Sequence, residues 1–274
     1  MKNLNLFLAV ITFTYSSISL AEVREVRSMR DILGFINPRG FVVFDIDNTI
    51  TEPVQTIGSD QFFSYLVEKG KASGLAEKDA VEQALQQASW IQPITRVKAV
   101  ESITPALIAH LQRNGVPVVA LTARPLKWSE GTLRQLGSIY VNFPTAPRPR
   151  FPVLGGSTPV CTYIRGVLFM SPHGNKGDCL IAYMNETRIH PERVIFIDDK
   201  VKNVTDVEAA LSKTPLTHTS LRYGAADTRV ASFDKTLAEF EWAYYLRFRV
   251  ILSDQEAYRL MGVRRVCYHS EACL

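Results

Sequence analysis

The sequence predicts an α/β protein built on a parallel β-sheet. Three apolar runs, at residues 41–44, 116–121 and 194–197, are typical of strands that are buried on both faces. Amphipathic helical segments separate these runs, and a strand–helix–strand order produces a parallel crossover. The 274 residues are 46% hydrophobic and 21% charged, which suffices for one large domain or a domain with an insertion.

The charge distribution argues against a nucleic-acid partner. The net charge is only +4, and lysine and arginine are scattered along the chain rather than clustered. We therefore expect no nucleic acid among the ligands.

The first 21 residues have the pattern of a secretory signal peptide. Lys2 precedes a short apolar run at residues 6–11, and the segment closes with Ser19-Leu20-Ala21. A membrane anchor is the alternative, but intervening Ser and Thr residues keep the run well below the roughly 20 apolar residues of a spanning helix. We expect cleavage after residue 21 and export of residues 22–274 to the periplasm or the medium, with no membrane association afterwards.

Export bears on the four cysteines, which are Cys161, Cys179, Cys267 and Cys273. An oxidising compartment permits disulfides, and four cysteines allow three pairings. Cys267 and Cys273 are the nearest pair near the end of the chain, and free buried thiols are the alternative.

The first strand carries the first candidate site. An amphipathic segment at residues 22–40 leads into the strand at residues 41–44, which runs directly into Asp45 and Asp47. Ligands of parallel sheets bind beyond the carboxyl ends of the strands, and two adjacent carboxylates favour a metal ion between them. The alternative is a plain turn, in which Asp and Asn are common.

A helical segment at about residues 53–103 separates the first strand from the next. Ser59 is placed to cap one helix that ends near Gly70, and a second helix is predicted at about 77–91, before Pro93. Such an insertion forms either a lid over the site or ordinary packing against the sheet.

The next elements bring further polar groups to the same edge. A helix opens at Thr104-Pro105, and the strand that follows it ends in Thr122. A hairpin is predicted at 160–170, with Arg165-Gly166 as its turn. Lys176 then begins a helix, where both the helix dipole and its own ammonium group attract anions.

The third strand ends in Asp198 and Asp199. A helix, a short strand at about 217–221 and a helix at about 233–246 follow. The pattern of residues 253–274 supports no assignment.

These residue types suit phosphoryl transfer. A carboxylate can attack phosphorus, a second carboxylate can move the protons, and hydroxyl and ammonium groups can hold the phosphate oxygens. A further carboxylate completes an oxygen shell of the kind that Mg²⁺ prefers. The candidate residues are Asp45, Asp47, Thr122, Lys176, Asp198 and Asp199.

In the order and spacing of these pieces, the chain resembles the haloacid dehalogenase (HAD) superfamily. The matching pieces are Asp45-Ile46-Asp47-Asn48-Thr49, then Thr122, Lys176, and Asp198-Asp199 with Asn203. The resemblance implies a Rossmann-like parallel-sheet core with a small helical cap at about 53–103. It also implies a Mg²⁺-dependent phosphatase that acts on a small phosphomonoester, and the signal peptide adds the expectation that this enzyme is exported.

The resemblance further implies a role for each residue. Asp45 is expected to be the nucleophile and a Mg²⁺ ligand. Asp47 is expected to be the general acid/base, with its backbone carbonyl toward the metal. Thr122 and Lys176 would hold the phosphate, and Asp199 would be the last metal ligand, with Asp198 as a supporting or alternative one.

Two other functions are compatible with the sequence. A non-catalytic binding or effector protein would keep the fold without hydrolysis, although such a protein has no need of Asp47. A phosphotransferase would pass the phosphoryl group to an added alcohol instead of water.

Overall fold

The computed structural model describes residues 23–172 and 174–268, with side chains to residue 262. The predicted signal peptide therefore lies outside the described residues. The Cys267–Cys273 pair lies outside the described side chains.

The central sheet has eight strands in the order β1-β10-β9-β2-β5-β8-β7-β6, and a separate two-stranded ribbon joins β3 and β4. The first six strands of this order are parallel to one another. At one edge, β7 pairs antiparallel with β8, and β6 pairs antiparallel with β7. The predicted α/β class with a mostly parallel sheet is confirmed. The strands are β1 (Val23–Val26), β2 (Gly40–Phe44), β3 (Thr51–Pro53), β4 (Val97–Ala99), β5 (Val118–Thr122), β6 (Val153–Gly155), β7 (Thr158–Ile164), β8 (Val167–Met170), β9 (Arg193–Asp198) and β10 (Thr217–Tyr223).

Helices cover the sheet and also form a second layer. The helices are α1 (Asp60–Ala72), α2 (Glu77–Ile91), α3 (Thr104–Arg113), α4 (Ser129–Ser138), α5 (Lys176–Thr187), α6 (Val201–Leu211), α7 (Asp227–Ala231), α8 (Lys235–Phe248) and α9 (Asp254–Tyr268). Short 3-10 turns occupy Asp31–Phe35, Thr56–Gly58 and Leu126–Trp128.

Local sequence accounts for several of these boundaries. The Ser59 hydroxyl accepts a hydrogen bond from the Phe62 amide at 3.0 Å and so caps α1. The Asn175 side chain caps α5 in the same way through the Asp178 amide. The turn between β7 and β8 has positive φ at Arg165 and Gly166, which suits the tight hairpin that the sequence predicts.

The core is centred on β2, β5 and β9. Every residue of β2 and β5 is buried, and so are the last five residues of β9. Burial on both faces explains why these strands are continuous apolar runs without alternation.

The structure adds detail in four regions that the sequence did not determine. The segment at 22–40 contains β1, an edge strand parallel to β10, which the sequence did not predict because four residues are too few to show a clear period. The helix that opens at Thr104-Pro105 is α3, in which Thr104 is the first residue and makes no capping hydrogen bond. Among the described residues, a disulfide joins Cys161 to Cys179, so these two are not free thiols, and the Cys267–Cys273 pairing stays a prediction. Residues 254–268, which received no assignment, form α9.

The helices at 53–103 are attached to the core through the β3–β4 ribbon, and they pack against α8. Phe62 and Trp90 both contact the ring of Trp242, with ring centroids 5.9 and 6.0 Å apart. The two segments of chain that form this layer are therefore more than 140 residues apart in sequence.

Candidate active site

Sheet register brings Asp45, Thr122 and Asp198 to one edge. In the ladders, Phe44 pairs with Ala120 of β5 and with Ile197 of β9, so Asp45 and Asp198 leave neighbouring strands at the same level. The Asp45 amide also donates to the Ile197 carbonyl at 2.8 Å, which continues the ladder to the acid itself. This edge is the carboxyl end of the parallel strands, where ligands of such sheets bind.

Lys176 joins two of the acids. Its Nζ donates to Asp45 Oδ1 and, at 2.6 Å, to Asp198 Oδ2, and all three side chains are buried. Burial lowers the pKa of Lys176, but the Asp198 and Asp45 carboxylates outweigh it and hold the pKa above its ordinary value. Lys176 is therefore a permanent cation within the acidic cluster.

The two adjacent acids at the end of β9 differ in their surroundings. Both oxygens of Asp198 already accept several hydrogen bonds, from Lys176, the Lys200 amide at 2.8 Å and the Asn203 side chain at 3.0 and 3.1 Å. Asp199 accepts a side-chain hydrogen bond from Asn48 at 3.2 Å and is partly exposed. Asp199 therefore retains more capacity to accept a ligand than Asp198.

Asp45, Asp198 and Asp199 form a potential metal site. Each offers a carboxylate oxygen, and these three oxygens lie within 4.8 Å of one another. Mg²⁺–oxygen bonds are about 2.1 Å long, so two oxygens on one ion lie up to about 4.2 Å apart, and small side-chain adjustments suffice. All three potential ligand atoms are carboxylate oxygens, which suit a hard divalent cation. Two of these carboxylates, Asp45 and Asp198, also pair with Lys176.

The electrostatics of the cluster agree with this fit. Burial raises the pKa of Asp45 well above its ordinary value, Lys176 opposes the rise, and the carboxylates of Asp198 and Asp199 add to it. Burial and then the charge of Asp198 raise the pKa of Asp199 to about 7. Carboxylates that are costly to ionise together favour a cation among them.

The Asp47 side chain makes a separate set of contacts, and it is not among the three acids of the potential metal site. Its two oxygens accept hydrogen bonds from Nε and Nη2 of Arg124 at 2.8 and 2.7 Å, a bidentate ion pair. Burial raises the pKa of Asp47, but the charge and hydrogen bonds of Arg124 outweigh burial, so the pKa lies below its ordinary value. The Asp47 carboxylate is thus held in its ionised form, outside the group of carboxylates that can share a metal.

Arg124 is itself fixed by further contacts. Its Nη1 donates to Thr132 Oγ1 at 3.0 Å and to Gln135 Oε1 at 2.7 Å, and both partners lie on α4. Its ion pair with Asp47 could not be predicted from the sequence alone. Its position two residues beyond the end of β5, in Thr122-Ala123-Arg124, is the signal that places it at the site.

Thr122 lies at the end of β5 and is fully buried. Its hydroxyl oxygen accepts a hydrogen bond from the Arg124 amide at 3.1 Å. The hydroxyl also carries a proton that it can donate to a ligand.

A cleft of about 170 Å³ opens beside Asp47 and Arg124. Its other walls come from α1, α2 and the turn that follows β5. Lys200 and Asp60, which form an ion pair at 2.9 Å, also line it. This pair, like Asn48 in its contact with Asp199, was not predicted from the sequence, because each depends on two segments that meet only in the fold.

The curated relatives of the chain include chlamydial proteins. A Chlamydia pneumoniae protein named "putative outer membrane protein" is 23% identical over 93% of this chain and 95% of its own length. A Chlamydia muridarum protein of the same name is 26% identical over 90% of each chain. None of the described helices combines the length and hydrophobicity required to span a bilayer.

Among solved structures, a haloacid dehalogenase-like family hydrolase from Streptococcus pneumoniae is similar to 69% of this chain and 96% of its own. The TM-score is 0.41 and the sequence identity 13%. The family model described as "protein of unknown function (DUF2608)" matches residues 25–258, so the chain belongs to the DUF2608 family.

Proposed function

We propose that this protein is an exported, Mg²⁺-dependent phosphatase of the haloacid dehalogenase type, which hydrolyses phosphomonoesters through an aspartyl-phosphate intermediate. The observation that carries the proposal is the position of the Asp45 carboxylate. It lies at a parallel-sheet edge, bound to Lys176 and within 4.8 Å of the Asp199 carboxylate. A carboxylate held between an ammonium group and a potential cation site is suited to attack an electron-rich phosphoryl group.

The residues have separate roles in this proposal. An Asp45 oxygen bonds to phosphorus as the ester oxygen departs, and Lys176 and Thr122 hold the other phosphate oxygens. Asp47 is the proposed general acid/base: its ionised carboxylate takes a proton from the water that opens the intermediate. To protonate the departing oxygen it must first gain a proton against the charge of Arg124, so this step should slow as pH rises. Bound Mg²⁺ would supply charge neutralisation for the phosphoryl oxygens.

For the metal, we propose Asp45 and Asp199 as side-chain ligands, with the backbone carbonyl of Asp47. The saturated hydrogen bonding of Asp198 supports a different role for that residue, which is to position Lys176. This division would explain why two adjacent acids are needed at the end of β9.

We also propose that residues 1–21 are a cleaved signal peptide and that the helices at about 53–103 act as a cap on the core in residues 22–274. The names of the chlamydial relatives support export. The contact of α1 and α2 with the cleft beside Asp47 supports a role of these helices in selecting substrates.

The test is phosphate release from phenyl phosphate, with and without Mg²⁺, by the wild type, Asp45→Asn and Asp206→Asn. Asp206 is a matched control because it lies on α6 in an ion pair with exposed Lys202. We expect Mg²⁺-dependent release by the wild type and the control, and a loss of at least about 10³-fold in Asp45→Asn. Equal activity of Asp45→Asn and wild type would exclude the proposed nucleophile.

A further inference from the structure

The cleft beside Asp47 has a predominantly apolar wall. Asp47 and Arg124 lie at one side of it, so a group attached to the departing oxygen would extend into this space. Trp128 is nearly buried, and its indole N–H donates to Ser89 Oγ at 3.0 Å, so its polar atom is already satisfied. The apolar wall consists of Ile57, Phe62, Phe63, Leu85, Ala88 and Trp128.

The charged groups of the cleft neutralise one another. Arg124 is paired with Asp47, and Lys200 is paired with Asp60 at 2.9 Å. The four side chains together therefore carry no net positive charge that would attract a second anionic group on the substrate. This balance disfavours bisphosphates and other substrates with a second negative charge at this end.

The size of the cleft limits the occupant further. Apolar cavities of about 150 Å³ accommodate a benzene ring. The volume of about 170 Å³ is therefore appropriate for one six-membered ring. A polyol or sugar would leave its hydroxyl groups against aromatic walls, where unmade hydrogen bonds are costly.

We propose that the preferred substrates are phosphomonoesters whose departing oxygen carries a single uncharged aromatic ring, held between α1, α2 and the turn around Trp128. This inference rests on the proposed function. In the reaction, the Asp45–phosphorus bond forms as the bond from phosphorus to the ring-bearing oxygen breaks, and that oxygen takes a proton. Water then replaces Asp45 on phosphorus, so the products are the aromatic alcohol and inorganic phosphate.

Binding of non-hydrolysable analogues tests the cleft separately from catalysis. Benzylphosphonate has a CH₂ group in place of the ester oxygen of phenyl phosphate, and ethylphosphonate is the matched analogue without a ring. Calorimetry of the mature chain with Mg²⁺ should give at least about tenfold tighter binding of benzylphosphonate, equivalent to about 1.4 kcal/mol. A naphthylmethylphosphonate should gain no additional affinity, because a second ring exceeds the cleft.

Two substitutions on α2 test whether the cleft is the source of the preference for benzylphosphonate. Leu85 is a half-buried residue of the cleft wall, and its exposed neighbour Gln86 is outside the wall. Leu85→Trp should fill the cleft and weaken benzylphosphonate binding about tenfold without affecting ethylphosphonate, while Gln86→Trp should leave both unchanged. Phe63→Ala provides a second variant that should reduce the preference for the ring.

The outcomes separate the two proposals. Equal affinity for the two phosphonates, no binding of either, or an unchanged preference in Leu85→Trp and Phe63→Ala would overturn the cleft assignment. Selective binding of benzylphosphonate without release of phosphate from phenyl phosphate would support the cleft and contradict the phosphatase. Equal hydrolysis of phenyl and methyl phosphate, with equal binding of benzylphosphonate and ethylphosphonate, would support the phosphatase and contradict the cleft.

Discussion

Lys176 holds two buried carboxylates within hydrogen-bonding distance of one ammonium group. Such a cluster is stable only while each charge is compensated, because burial removes the solvation by water. The same compensation serves the proposed chemistry, since an ammonium beside Asp45 would also receive the phosphoryl oxygens. Structure and proposed function therefore depend on the same side chain.

Lys176→Met should destabilise the protein by about 3 kcal/mol, because it leaves Asp45 and Asp198 buried without their cation. Urea unfolding at neutral pH without added metal measures this change. Lys202→Met is the control, since it removes an exposed lysine paired with Asp206 and should cost less than about 1 kcal/mol. Equal losses in both variants would show that Lys176 is not needed for charge compensation.

The positions of the site residues could largely be predicted from sequence. Asp45, Thr122 and Asp198 each follow an apolar strand, and parallel strands bring their carboxyl ends to one edge. The partners of the side chains could not be predicted in the same way. The Asp47–Arg124 ion pair depends on side-chain directions and on α4, about which the strand pattern carries no information.

The helical layer over the site is held together by contacts between distant segments. The turn at Thr56–Gly58, just before α1, is bound by acids from the C-terminal helices. Glu241 on α8 accepts from the Ile57 amide at 3.1 Å, and Asp254 on α9 accepts from the Thr56 amide at 2.9 Å. Helix lengths and caps in this layer follow from local sequence, whereas this docking could not be predicted because no local pattern specifies it.

Glu241 makes this docking sensitive to pH. Burial, and then the neighbouring Asp254 carboxyl group, raise the pKa of Glu241 to about 8, whereas unfolding returns it to an ordinary value near 4.3. The folded state therefore binds a proton that the unfolded state releases between these values. The stabilising contribution of Glu241 is complete below about pH 4 and is lost as pH rises through about 8.

Glu241→Gln should remove this dependence, since the amide is neutral at every pH and retains an acceptor for Ile57. Relative to the wild type, the variant should gain up to about 4 kcal/mol of unfolding free energy between about pH 5 and pH 8.5, which is about three pKa units at about 1.36 kcal/mol each. Urea unfolding at the two pH values measures the gain. Glu239→Gln, an exposed position on the same helix, should show no such gain, and a pH-independent difference for Glu241→Gln would contradict the assignment.

The complete molecule combines a parallel-sheet core, whose edge carries the acids, with a helical layer that forms one wall of the cleft. The three buried strands were predictable because each is a continuous apolar run. The helices between them were predictable because their apolar residues recur with the helical period. Edge strands such as β1 and β6 were not, because three or four residues show no reliable alternation. The Cys161–Cys179 disulfide could not be predicted either, because cysteine pairing depends on the fold.

Mg²⁺ should stabilise the whole protein if it binds only the folded site. At about ten times the dissociation constant, the gain is about 1.4 kcal/mol, which corresponds to a rise of about 3 to 5 °C in Tm for a chain of this length. Calorimetric melting in Mg²⁺ and in EDTA measures the rise. Asp199→Asn should reduce it and Asp206→Asn should retain it, whereas identical shifts in both variants would place the metal elsewhere.

The most direct test of the account is chemical trapping of the intermediate on Asp45. Borohydride added during turnover of phenyl phosphate with Mg²⁺ reduces an acyl phosphate to an alcohol, and peptide mass spectrometry locates the modified side chain. We predict reduction at Asp45 that requires both substrate and Mg²⁺. Steady release of phosphate with Asp45 unmodified, together with full activity of Asp45→Asn, would contradict it.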